Sequence, residues 1–367
     1  MRSYEVAVVG AGLAGLYAAW ALKASGVDAL VIEARERIGG RVFSADASGN
    51  SSEDGFDLGP SWYWPQMQPA MADLVAEFDL QSFVQHSEGE VVFERSPSQR
   101  PQRFPAMMQE PPSMRLAGGT AAAVRALARE LSPDSILLRT KVKGMTLMST
   151  GVRLTVENAS GEQDIIDADH VIAALPPRLI EATITFSPAQ EGATAGRWRD
   201  TPTWMAPHAK FFAIYDRPFW RAAGLSGTAQ SIAGPMAEIH DATTASGRAA
   251  LFGFIGVGAE QRAAVSEETL KIACLVQLER LFGPAARSPV ATLLKDWAVD
   301  PLTATSTDLV AAGHPVVRDD AWVTGGWDGR LSLAGSETSP TEPGYLSGAV
   351  TAAQRAVSQY LSKQGAR

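Results

Sequence analysis

The chain has 367 residues, 46% of them hydrophobic and 20% charged, with a net charge of −8. That length carries two domains and a sizeable core. The acidic balance, with no Lys/Arg-rich block, excludes the basic footprint of a general nucleic-acid binder.

Residues 6–9 (VAVV) read as a strand buried on both faces, Leu13 to Ala24 as a helix stopped by Gly26, and 29–32 (ALVI) as a second buried strand. Together they make one strand–helix–strand unit. At its first turn stands GAGLAG, in which Gly10, Gly12 and Gly15 fit the G-x-G-x-x-G dinucleotide fingerprint. Gly10 permits the turn, Gly12 leaves room for a pyrophosphate, and Gly15 lets helix and strand pack closely. The helix start at Leu13 and Ala14 offers free N–H groups to phosphates. Glu33, eighteen residues after Gly15, ends the second strand, where a carboxylate can accept both ribose hydroxyls and disfavours a 2′-phosphate. This much leaves NAD and FAD both open.

The next stretch, EARERIGGRVFS, carries Glu33, Ala34, Arg35, Arg37, Gly39, Gly40 and Arg41, which gives positive charge and a second glycine pair further along an extended ligand. Residues 44–57 are polar and turn-rich, as in a surface loop or hairpin. Residues 69–80 have helical periodicity, and 95–113, with five prolines, read as an irregular connection. Residues 118–132 read as a helix. Short alternating strands follow at 135–140, 151–158 and 169–175, until Pro176 and Pro177 break the pattern. Residues 208–220 (HAKFFAIYDRPFW) read as a strand entering a turn, 250–258 as a strand, and 266–283 as a helix with Ser266 as N-cap. A last buried strand at 331–335 precedes a final helix from about Ser347 to Leu361.

One cysteine, Cys274, sits among apolar neighbours and cannot make an internal disulfide. The five histidines are scattered without metal-ligand spacing, so no metal is expected. Arg2 and Glu5 interrupt any leader-like apolar region, and no run approaches the roughly 18 apolar residues of a membrane span. A soluble, cytoplasmic protein with no membrane or nucleic-acid partner is expected.

The R-x-G-G-R element at 37–41 resembles that of FAD-dependent amine oxidases. So do DLGPSWYWP (57–65), GGTAAAVRALARE (118–130), KVKGM (141–145) and LAGSETSPTEPGYLSGAVTAAQRA (333–356). In this order along the chain they resemble the flavin-containing monoamine oxidase family. The resemblance implies FAD along Gly59, Pro60, Ser61 and Trp62 at the flavin edge, Val142 at the adenine, and Gly335, Ser336 and Glu337 by the ribityl–phosphate. Gly344, Tyr345, Leu346 and Ala349 would put a helix N-terminus toward the pyrimidine. Pro176 and Trp297, which matches a family tryptophan, join this set. No cysteine lies in 300–330, so the FAD would be held non-covalently.

The same resemblance places Lys210 opposite flavin N5 through a water, and Tyr345 as one wall of an aromatic cage. Strand alternation gives Lys210 a face shared with His208, Phe212 and Ile214. The segment expected to supply the second wall, AVDPLTATSTDL (298–309), has no aromatic, which leaves Trp62, Trp64 and Trp322 as candidates.

The expected architecture is α/β. A Rossmann-like FAD domain would be built from 1–66, 112–185 and 300–367, and a mixed α+β substrate domain from 67–111 and 186–299. The implied reaction is amine oxidation. A hydride passes from the carbon next to nitrogen to flavin N5, the imine hydrolyses to an aldehyde or ketone, and O2 becomes H2O2. A desaturase, a dihydronicotinamide oxidase, or a non-catalytic flavin-binding partner subunit remain open alternatives.

Overall fold

The structure is a computed structural model that describes residues 2–105, 110–310, 313–318 and 320–365. Its first sheet has eight strands. At its centre Arg2–Val9 lies parallel to Ala29–Ile32 on one side and to Gln163–Ala173 on the other. The long strand Gln163–Ala173 changes partner midway: its first half pairs antiparallel with Val152–Asn158, and its end pairs parallel with Leu331–Leu333. The C-terminal strand thereby completes a sheet begun at the N-terminus.

Alternation along Arg2–Val9 feeds two cores. Val6 and Val8 pack with helices Leu13–Ala24, Pro69–Glu77, Ala121–Arg129 and Leu346–Gly365, while Ala7 and Val9 pack with Trp198, Trp327 and Leu333. Three of these elements depart from the expected domain boundaries. Helix Pro69–Glu77 buries Ala70, Met71 and Leu74 in the first core rather than in the second domain. Thr185–Ser187 adds to the edge of the first sheet, and Trp198 on helix Gly192–Asp200 is wholly buried beneath it.

The second sheet has seven strands, in the order Ala291–Asp296, Ala209–Tyr215, Ala249–Ile255, Met236–Asp241, Leu225–Ser231, Glu90–Glu94, Gln102–Pro105. Helix Glu267–Phe282 covers one face, capped by the Ser266 hydroxyl accepting the Thr269 N–H, as its sequence predicts. The proline-rich stretch expected to be irregular thus contains an edge strand, Gln102–Pro105; a proline at the end of an edge strand leaves no ladder bond broken.

Phe211, Ala213 and Tyr215 face the covering helix, and Phe212 and Ile214 face the opposite way. There they meet Phe56 and Leu58, next to a small hairpin, Ser44–Ala45 with Phe56–Asp57. The stretch expected as a surface loop or hairpin is therefore a hairpin, but one deeply buried at its base, where Ala45 and Phe56 are 0% exposed. Among the described residues no helix is long and apolar enough to cross a membrane.

Candidate active site

A cavity of about 390 Å³ runs from the strand ends of the first sheet to the face of the second. One end is lined by Ile32, Glu33, Thr140 and Val142, the middle by Gly12–Ala14 and Gly39–Arg41, and the far end by Trp62, Lys210, Phe254 and Tyr345.

The middle is a backbone cradle. Gly10 takes φ +103°, a turn that side chains rarely tolerate, and a Cβ on Gly15 would lie 1.8 Å from the Gly10 carbonyl oxygen. Gly15 is therefore a packing residue and lies outside the lining. Gly12 differs: a Cβ there would meet only the Gly39 oxygen at 3.8 Å and would otherwise project into open space. Gly12 also caps helix Leu13–Ala24 with no side-chain bond, so N–H groups of the first turn remain free. An extended phosphate ligand fits this cradle. Glu33 accepts the Ala11 N–H at 2.7 Å and the Arg35 N–H at 2.8 Å, which fixes its carboxylate at the cavity wall.

Arginines brace the lining. Arg35 makes a bidentate pair with Asp300, both bonds 3.0 Å, and also donates to Thr303. Arg41 donates to both oxygens of Glu337, to the Ser336 hydroxyl and to the Trp204 carbonyl. Glu337, expected beside the cofactor, is wholly buried and does not line the cavity; its carboxylate holds Arg41 instead. Ala34, Gly59, Pro60, Ser61, Trp64, Pro176, Trp297, Gly335, Ser336, Gly344, Leu346 and Ala349 all line it.

Lys210 is 1% exposed, yet its ammonium reaches the cavity wall. Nζ donates to the Asp57 carbonyl at 3.2 Å, to the Gly59 carbonyl at 2.5 Å and to the Ser61 hydroxyl at 2.9 Å. The Phe252 and Phe254 rings lie 4.7 and 5.1 Å from it. Burial pulls its pKa down to about 7; Asp57 opposes the fall and Arg115 adds to it.

Three expected pocket residues lie elsewhere. Phe212 shares the Lys210 face but packs between Phe56 and Phe252, below the cavity. His208 lies against the Trp204 ring at 5.5 Å, behind the lining, with its Nδ1 buried and unpartnered. Trp322 is buried in the core of the first sheet, where its carbonyl accepts the Trp198 indole N–H. Alternation predicts which side of a strand a residue faces, not how deep it lies.

The sequence reading missed Trp204, Met205 and His314, which all line the cavity. His314 stacks on Tyr345 at 4.5 Å and 11°, and on Trp204 at 3.4 Å and 23°. No periodicity marks any of them, because each sits in irregular backbone. The sole cysteine, Cys274, is wholly buried in helix Glu267–Phe282, in the core between that helix and the second sheet, and burial pushes its thiol up to about 12.

The profile of the flavin containing amine oxidoreductase family matches residues 97–361, and that of an NAD(P)-binding Rossmann-like domain matches residues 8–78. A probable flavin-containing monoamine oxidase A of Dictyostelium discoideum is 27% identical over 257 residues, 68% of this chain and 53% of that protein. The chain spans about half the length of the curated relatives it matches. In fold it is similar to cyclohexylamine oxidase from Brevibacterium oxydans (TM-score 0.81, 20% identity, 99% of each chain). It is likewise similar to putrescine oxidase bound to putrescine (TM-score 0.78, 22% identity, 98% of this chain and 99% of that one). The match over residues 97–361, with the cradle and the two-sheet architecture around it, establishes that the chain belongs to the flavin containing amine oxidoreductase family.

Proposed function

We propose that the chain is a FAD-dependent amine oxidase that holds its cofactor non-covalently. FAD bound along the cavity would take a hydride from the carbon next to the amine nitrogen and return the electrons to O2 as H2O2, chemistry that the protein frames rather than performs. Glu33 would hold the ribose, Gly12–Ala14 and Gly39–Arg41 the pyrophosphate, and Val142 the adenine end. The distance of Cys274 from the cavity supports non-covalent binding. In this reading the protein works in the cytoplasm, which suits a lone buried thiol.

One observation carries the reading: a wholly buried lysine lies at the wall of a nucleotide-sized cavity, beside aromatic side chains. A lysine near neutrality can pass between amine and ammonium at the pH of the reaction. As an ammonium, Nζ has all three donors taken by Asp57, Gly59 and Ser61. As a neutral amine it keeps two donors, and its lone pair can accept from the Ser61 hydroxyl. A water held at Nζ therefore shares or replaces one of these contacts, the longest being to Asp57. The aromatic residues around it exclude bulk water and favour an uncharged amine, the form that can lose a hydride. The resulting imine hydrolyses to an aldehyde or ketone.

The test is anaerobic mixing of the yellow holoprotein with a panel of primary and secondary amines. At least one amine should bleach the flavin band, and admitting air should restore it with release of H2O2. Bleaching by dihydronicotinamides alone, or by no donor at all, would overturn the reading.

A further inference from the structure

The imidazole of His314 is stacked on two larger rings, Trp204 and Tyr345. A ring of this size has room for one such partner on each face, so the indole and the phenol flank it. All three line the far end of the cavity. The backbone that carries the outer rings is held in place. The Trp204 carbonyl accepts from Arg41 at 2.9 Å, and its Cβ lies against Gly344, where an added Cβ would approach to 2.8 Å. Met205, beside it, takes φ +68°, a left-handed conformation that the surrounding contacts must impose on a non-glycine residue. Tyr345 leads into helix Leu346–Gly365, its carbonyl accepting the Ala349 N–H at 3.0 Å.

The middle ring is held differently. His314 lies outside any helix or strand, and among the described residues its one hydrogen bond is Nδ1 with the Pro343 carbonyl, at 3.4 Å. Burial lowers its pKa against the opposing pull of the Pro343 carbonyl; this favours the neutral ring, and a neutral ring stacks without a charge to solvate. Two aromatic planes on anchored backbone, one ring-thickness apart and filled by a weakly tethered side chain, make a binding slot with a resident occupant.

We propose that Trp204 and Tyr345 form a slot for one flat ring, that His314 occupies it in the free protein, and that His314 sets specificity because a flat ligand must displace it. The slot takes neutral planar groups of the size of an azole or a benzene ring. As a statement about substrate choice this rests on the amine oxidase reading; as a statement about the slot it does not.

The test uses the FAD-loaded protein and imidazole as the probe, read by quenching of tryptophan fluorescence and by perturbation of the flavin absorbance band. Neither readout needs turnover, so a chain that oxidised no amine would still report on the slot. His314→Ala should bind imidazole at least tenfold more tightly than the wild type, a difference of about 1.4 kcal/mol. Adding Trp204→Ala should abolish the gain. Where the amine oxidase reading holds, His314→Ala should also lower KM for benzylamine more than it changes kcat. His314→Gln removes the ring but keeps a polar side chain, and should behave likewise if His314→Ala misfolds. Equal imidazole affinity in wild type and both variants, or a gain that survives Trp204→Ala, would overturn the proposal.

Discussion

Replacing Lys210 by Met isolates what burial does to a cation enclosed at the far end of the cavity. The wild-type ammonium is held at about 7 against an ordinary 10.5. Between those values the unfolded chain binds a proton at this site and the folded chain does not, so stability rises with pH through the window. Below pH 7 both states are protonated and the full cost of burying the charge remains. Two units of that window lie between pH 7 and pH 9, which at 1.36 kcal/mol per unit relieves roughly 3 kcal/mol. The Lys210→Met variant has no such slope from this position. It does leave the Asp57 and Gly59 carbonyls and the Ser61 hydroxyl without a donor, an offset of roughly 1–3 kcal/mol for each acceptor that stays unsatisfied. That offset does not depend on pH, so the slope is the diagnostic. Urea unfolding of wild type and variant, both FAD-loaded, at pH 6, 7, 8 and 9 gives the comparison. The wild type should gain roughly 3 kcal/mol on the variant from pH 6 to pH 9. A difference constant across the range would mean that the ammonium is solvated, and the account of a tuned lysine would fall with it.

Two further outcomes follow from the cradle and the thiol. Gly12→Val should fold with a melting temperature near that of the wild-type apoprotein and yet purify colourless, because the added side chain enters open space at φ −74° and fills the phosphate site. Gly15→Ala should instead lose thermal stability outright, since its Cβ would lie 1.8 Å from the Gly10 carbonyl; equal behaviour of the two variants, by melting and by absorbance per mole of protein, would refute the distinction. Precipitation of the holoprotein in acid should leave all yellow colour in the supernatant, whereas colour retained in the pellet would show a covalent bond.

What could be read from the sequence was what local chemistry decides. The first strand–helix–strand unit was legible because an apolar run, a glycine turn and a helical period follow one another within about 30 residues. The Ser266 cap was legible because a hydroxyl before Glu267 can only serve the N–H groups just ahead of it. Destination was not legible. The period of Pro69–Glu77 says helix, but the core that receives Met71 and Leu74 is formed by Leu346–Gly365 and other distant elements. Gln102–Pro105 has no pattern of its own and is a strand because Glu90–Glu94 offers it an edge.

The candidate site divides along the same line. Residues that line the cavity through backbone, such as Gly12 and Gly40, reveal themselves because few other residues could stand there. Residues that line it through side chains do not, since any aromatic in any loop could serve. Trp204, His314 and Tyr345 come from three separate segments, and none announces the others. Arg41 links two of these segments, its guanidinium bonding the Trp204 carbonyl 163 residues away and Glu337 in the segment that leads to Tyr345. The loop that lines the phosphate cradle thus also fixes one wall of the slot. Arg41 thus ties the glycine cradle to the Trp204 backbone, whereas among the described residues His314 has one hydrogen bond, to the Pro343 carbonyl.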